Sequence, residues 1–236
     1  MIPCQRSLFS IPSDVVYLNT AYMSPLMTSV VDAVNYGAKL KATPWDITIS
    51  DFFENSELAR NLFADIVNVS SKNIALVPSA SYGLETAAKN LRVGNGRSVV
   101  ILENQFPSHV YPWQRLVKET GGKLIKVKER QDRNLTELVL EFIDEKCAIV
   151  AVPNVLWTKG LILDLILISQ RCKEVGAALV LDLTQSLGAM NTDLGKIDPD
   201  FAVIAAYKWM MSPYSTGYLY VNERHWNGEP LEGNWI

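Results

Sequence analysis

The sequence predicts an α/β fold: a mostly parallel, seven-stranded sheet with helices on both faces. Three observations carry the prediction. Short β-rich apolar runs alternate with stretches of helical length along most of the chain. Several of those runs are apolar at every position, as strands covered on two sides require. Polar clusters follow directly after the runs, where sheets of this class bind ligands.

The candidate strands are Asn73–Val77, Ser98–Leu102, Lys123–Val127, Ala148–Val152, Ala178–Asp182, Phe201–Ala205 and Gly217–Val221. Between them, Ser81–Leu91, Ser108–Glu119, Leu135–Glu145 and Asp164–Val175 have helical length. In the last of these, Leu165, Ile168, Cys172 and Val175 fall on one helical face. No helical stretch separates the last two strands, so the final one is free to pair antiparallel. The N-terminal region has another character. Tyr17-Leu18-Asn19 is a short extended piece, and amphipathic helices are expected near Leu26–Leu40 and Asp51–Val67, broken at Pro44-Trp45-Asp46. We expect an N-terminal segment over 1–45 and one large domain over 46–236.

The chain has 236 residues, 48% hydrophobic and 20% charged, with a formal net charge of -3. That balance offers nothing to nucleic acid or to an anionic membrane surface. No apolar run is long enough to span a bilayer, since Leu161–Ile168 is interrupted by Asp164. Cys4, Cys147 and Cys172 are scattered and odd in number, which argues for reduced thiols and against a disulfide framework or a metal site. The start Met1-Ile2-Pro3-Cys4-Gln5-Arg6 lacks the pattern of a secretory signal, so the expected setting is the cytoplasm.

Four clusters carry chemistry. Lys208 ends the apolar run Val203-Ile204-Ala205-Ala206-Tyr207 and is followed by Trp209-Met210-Met211. Apolar surroundings disfavour an ammonium, and a neutral amine can form a Schiff base. Asp182 ends the strand Ala178–Asp182, followed by Thr184 and Gln185. A carboxylate of this kind can hold a pyridine nitrogen protonated, and Gln185 can donate to a phenolic oxygen. An amine and a carboxylate on successive strand ends suggest pyridoxal phosphate (PLP), which needs one of each. Ser79-Ala80-Ser81 lies between a strand and a helix and suits a phosphate, with Tyr207 offering a further hydroxyl. Phe106 can lie flat on a heterocycle, and Ser108 can cap a helix or donate to a ligand. Each has a plainer alternative: Ser79 as an N-cap serine, Phe106 in the core, Asp182 capping its own turn, Lys208 in a structural ion pair. His109 is expected to be solvated, and His225 is given no role.

These motifs, taken in series, resemble the class V aminotransferase family of fold-type I PLP enzymes, which includes cysteine desulfurases, kynureninases and isopenicillin N epimerases. Leu181-Asp182-Leu183-Thr184-Gln185-Ser186-Leu187-Gly188-Ala189 is similar to the family's aspartate and glutamine motif, and Tyr207-Lys208 to its Schiff-base lysine motif. Phe106-Pro107-Ser108 is similar to the segment whose aromatic residue stacks on the cofactor, and Ser79-Ala80-Ser81 to the phosphate-binding turn. The resemblance implies that Lys208 holds PLP and shuttles the Cα proton. It assigns Asp182 to the ring nitrogen, Gln185 to the phenolic oxygen and Phe106 to one ring face. Ser79, Ala80, Ser81 and Tyr207 fall to the phosphate, Trp157 lies near the ring, and Trp235 matches a tryptophan reaching the neighbouring subunit's phosphate.

The same resemblance implies an amino-acid substrate, a homodimer and, as the activity expected first, amino transfer. Cysteine desulfurase or lyase chemistry and a kynureninase-like hydrolase are the alternatives. Two departures stand out. Gln185 occupies the position where kynureninases usually carry histidine, and the chain stops before the family's small C-terminal domain, which supplies a carboxylate-binding arginine and, in cysteine desulfurases, a mobile-loop cysteine. A catalytically incomplete cofactor-binding or dimerisation fragment is therefore a reading of another class. A nicotinamide oxidoreductase is disfavoured, because Ser79-Ala80-Ser81 lacks a glycine-rich turn.

Overall fold

The computed structural model describes residues 2–233. Among them, seven strands form one mixed sheet: β1 (Ile74–Val77), β2 (Ser98–Leu102), β3 (Lys123–Val127), β4 (Cys147–Pro153), β5 (Ala178–Asp182), β6 (Phe201–Ala205) and β7 (Gly217–Val221). The spatial order is β1-β7-β6-β5-β4-β2-β3. Every neighbouring pair from β6 to β3 is parallel, whereas β7 runs antiparallel to both β6 and β1. Six strands thus point one way, and their carboxyl ends share one edge. The antiparallel β7 follows from the missing helix: a short loop can only return the chain alongside the strand it has left.

The helices are α1 (Thr28–Ala42), α2 (Glu54–Val67), α3 (Ala80–Asn90), α4 (Tyr111–Thr120), α5 (Leu135–Leu140), α6 (Leu165–Val175) and α7 (Leu194–Ile197). Side chains alternate along β2: Val99 and Ile101 enter one core, Val100 and Leu102 the other. The first core joins the sheet to α3 and α4 through Leu84, Ala87 and Trp113. The second joins it to α2, α5, α6 and α7 through Phe63, Val139, Ile168 and Leu194. Gly83 lets α3 settle on the sheet, since a Cβ there would lie 2.6 Å from Val203 Cγ1.

Several sequence expectations are adjusted. Asn73 belongs to the turn before β1, and β4 gains a residue at each end. The expected helix from Ser108 divides into a 3-10 turn, Pro107–His109, and α4, because Pro112 lacks an N–H and fits only a helix's first turn. The stretch after Leu135 stops being α-helical at Leu140; Phe142 and Ile143 instead donate to carbonyls three residues back. Tyr17-Leu18-Asn19 lies outside any described strand. None of the residues of α1 is buried.

Candidate active site

The carboxyl ends of the strands surround a cavity of ≈ 170 Å³. Ser79, Phe106, Asp182, Gln185, Tyr207 and Lys208 all line it, as do Ala80, Ser81, Ser108 and Trp157. The structure therefore brings together every sequence-predicted site residue it describes. Trp235 lies outside the described residues.

Lys208 rides on the loop joining β6 to β7. Ala206 N–H donates to Thr216 (2.9 Å), Ser212 N–H to Ala206 (3.1 Å) and Met211 N–H to Lys208 (3.1 Å), and Met211 closes the turn at a φ of 53°. The side chain is 8% exposed, and its amine faces the rings of Phe106 and Tyr207 at 5.7 and 5.8 Å from their centroids. Burial lowers its pKa, opposed by the charge of Asp182. Among the described residues the amine has neither a hydrogen-bond acceptor nor a salt-bridge partner within contact distance.

Asp182, also 8% exposed, ends β5, and its Oδ1 accepts from Thr184 N–H at 2.9 Å. The turn-capping alternative is thus true of this residue, but it occupies only part of the carboxylate. Burial raises the Asp182 pKa; hydrogen bonding from Thr184 and the charge of Lys208 oppose that. Thr184 Oγ1 accepts from Ala205 N–H at 3.0 Å, locking the β5 turn to the end of β6. Carboxylate and amine consequently open on one cavity from fixed backbone.

Ser79 caps α3, its Oγ accepting from Tyr82 N–H at 3.1 Å, and Ser81 donates to Ser108 Oγ at 2.8 Å. Ser108 sits inside the 3-10 turn, so it does not cap α4. Phe106 is 42% exposed, which excludes the core alternative; Trp157 meets it edge-on at 5.5 Å and anchors its own indole to Asn104 O at 2.9 Å. Gln185 is tied at both amide ends: Nε2 donates to Ala21 O (3.0 Å), and Oε1 accepts from Trp209 Nε1 (2.9 Å).

His109 overturns its expectation of solvation. It is 0% exposed, and burial lowers its pKa to about 3. Among the described residues its ring nitrogens and the neighbouring Trp113 Nε1 have no hydrogen-bond partner. The ring turns inward because the 3-10 turn aims it toward α4, a feature no local pattern announces. Polar lining residues that escaped the sequence reading include Gln105 and Tyr214. Gln105 is buried and ties Leu102 N–H to the carbonyls of His109 and Ala151, fixing the segment that carries Phe106. Tyr214 tilts against Tyr207 at 4.7 Å; its place three residues before β7 was the available signal.

The thiols lie elsewhere: Cys147 and Cys172 are buried, with burial pushing Cys147 up to about 12 and Cys172 in the same direction, while Cys4 is exposed. Among the described residues no His, Cys, Asp and Glu group could hold a metal, and no helix is long and apolar enough to cross a membrane.

Comparison with known proteins agrees with this architecture. The apo cysteine desulfurase of Thermococcus onnurineus NA1 superimposes with a TM-score of 0.86 at 26% identity, over 97% of this chain and 59% of that one. A probable cysteine desulfurase of Methanothermobacter thermautotrophicus is 30% identical over 213 residues, 88% of this chain and 53% of the relative. A kynureninase of Shouchella clausii is 26% identical over 243 residues, 98% of this chain and 57% of the relative. The chain thus spans about half the length of the curated relatives it matches. The family model Aminotransferase class-V matches residues 16–233, so the chain belongs to the class V aminotransferase family.

Proposed function

We propose that this chain is the cofactor-binding portion of a pyridoxal-phosphate-dependent enzyme acting on an amino acid. The observation that carries the reading is the pair Lys208 and Asp182, buried to the same degree and opening on one small cavity. The residues fit the cofactor. They offer an amine without an acceptor, a carboxylate with spare capacity, an exposed aromatic face at Phe106 and the opening turn of α3. Family membership supports the same assignment.

When bound, the cofactor supplies an electron sink that acidifies the Cα–H of an attached amino acid. Lys208 would hold the cofactor through its amine, and the same amine stands to accept and return a proton at the substrate Cα. Its lowered pKa makes the neutral, proton-accepting form more accessible near neutral pH. Asp182 would hold the ring nitrogen and favour its protonated state by opposite charge. Phe106 covers one ring face, braced by Trp157. Ser79, Ala80, Ser81 and Tyr207 take the phosphate, where free N–H groups and the helix dipole favour an anion. Ser108 supports Ser81, and Gln185 donates to the phenolic oxygen.

For the reaction we favour desulfuration or kynureninase-like hydrolysis, the activities named in the similar proteins. Amino transfer is the second reading, favoured by the family's own description. Borohydride reduction of the PLP-loaded protein is expected to fix the label on the peptide carrying Lys208. Lys208→Ala should lose both the fixed label and the visible absorption; a label retained in that variant would contradict the assignment. An amino-acid panel with pyruvate, scored for keto acid against sulfide or alanine, separates the activities.

We also infer a cytoplasmic homodimer. Val31, Val34 and Tyr36 on α1, with Leu58 and Leu62 on α2, are apolar side chains left exposed, surface that a second copy would cover. Sedimentation showing only monomer at micromolar concentration would count against it.

A further inference from the structure

We propose that Trp209 is a positioning residue that orients the Gln185 amide toward the cofactor, an inference that rests on the reading of Gln185 as donor to the phenolic oxygen. An indole N–H can only donate, so the amide oxygen must face Trp209, which it meets at 2.9 Å. A backbone carbonyl can only accept, so the amide nitrogen must face Ala21 O, 3.0 Å away. The two contacts fix the same orientation from opposite ends, leaving no freedom to flip. Nε2 carries two hydrogens, and Ala21 takes one. The other is the donor that Gln185 brings to the cavity wall it forms.

Trp209 is itself held in place. Gly188, at a φ of 98°, lies so close to its backbone that a Cβ there would stand 2.4 Å from Trp209 O. The turn carrying Gln185 and the loop carrying Lys208 are thus in direct backbone contact, with the indole–amide hydrogen bond spanning the same junction. Without the indole donor Oε1 loses its partner, and the Ala21 contact alone is left to hold the amide, so the orientation of its second N–H toward the cavity is loosened.

The test compares PLP-loaded Trp209→Phe, Gln185→Ala and the double variant. The readouts are the PLP dissociation constant and the pH midpoint of the visible absorption band. Trp209→Phe is expected to weaken binding about fivefold to tenfold, the worth of one hydrogen bond. It should also raise the midpoint by up to about one pH unit, since a lost donor leaves the phenolic oxygen more basic. Gln185→Ala should do the same, and the double variant should add nothing further. A silent Trp209→Phe beside a shifted Gln185→Ala overturns this inference alone, and additive effects do likewise. A silent Gln185→Ala removes the Gln185 assignment and this inference with it. Should phenylalanine pack poorly, benzothienylalanine at 209 replaces only the N–H with sulfur and gives the same comparison.

Discussion

Asp182 and Asp200 are buried to the same 8% and stand at opposite ends of the β5–β6 pair, yet their surroundings differ in kind. Asp200 accepts from Leu179 N–H, Arg224 Nε and His225 Nε2, each at 2.7 Å, and so uses both oxygens. Among the described residues Asp182 is hydrogen-bonded by Thr184 alone and otherwise opens on the cavity. Burial alone does not mark a working acid. Unmet hydrogen-bonding capacity beside a cavity does, because a buried polar group is otherwise paired.

The sharpest way to break this comparison is Asp200→Ala. Removing a buried, fully partnered carboxylate is expected to cost about 3 kcal/mol. Thermal melting should fall by about 6–12 °C for a chain of this size, with PLP affinity little changed. A variant that melts like the parent would show that the Arg224 and His225 contacts are not structural.

Asp182→Asn should do the reverse. Because burial raises the Asp182 pKa above its ordinary value of 3.8, the ionised group weakens the fold above that value, and stability grows as pH falls through the raised pKa. Melting at neutral pH should therefore hold or rise, while PLP binding weakens about tenfold or more through loss of a charged hydrogen bond. A large drop in melting temperature with normal PLP affinity would reverse the roles given to the two aspartates.

The pH effect of His109 is absent at neutral pH and emerges only on acidification. Its pKa falls from 6.5 to about 3 in the fold, so the unfolded chain takes up a proton first as the solution is acidified. Its contribution is present above pH 6.5 and is lost at up to about 1.4 kcal/mol per pH unit below that. Urea melts of His109→Gln should show a shallower acid dependence than the parent; identical slopes would mean that the imidazole titrates normally.

Much of this was legible in the sequence, for a physical reason. The runs forming β2, β3, β5, β6 and β7 are bounded as expected, because a strand's ends are set where apolar runs meet polar ligand-facing turns. Asp182 and Lys208 were legible because an ionisable group ending an apolar strand needs a partner or a purpose. Three things were not. Helix limits near Pro112 and Leu140 depend on competition between i+3 and i+4 bonds, which residue type barely biases. The inward turn of His109 depends on packing against α4. Tyr214 reaches the cavity only because the β6–β7 loop folds back, a long-range event.

That loop has a mechanical consequence. Both of its stems are interior strands, each hydrogen-bonded on two sides, so the amine of Lys208 is mounted on the stiffest part of the molecule. It cannot swing out to meet a substrate as a residue on a hinged flap could. The rim contrasts with this mounting: there the exposed rings of Trp157 and Tyr214 are held by far less of the surrounding structure.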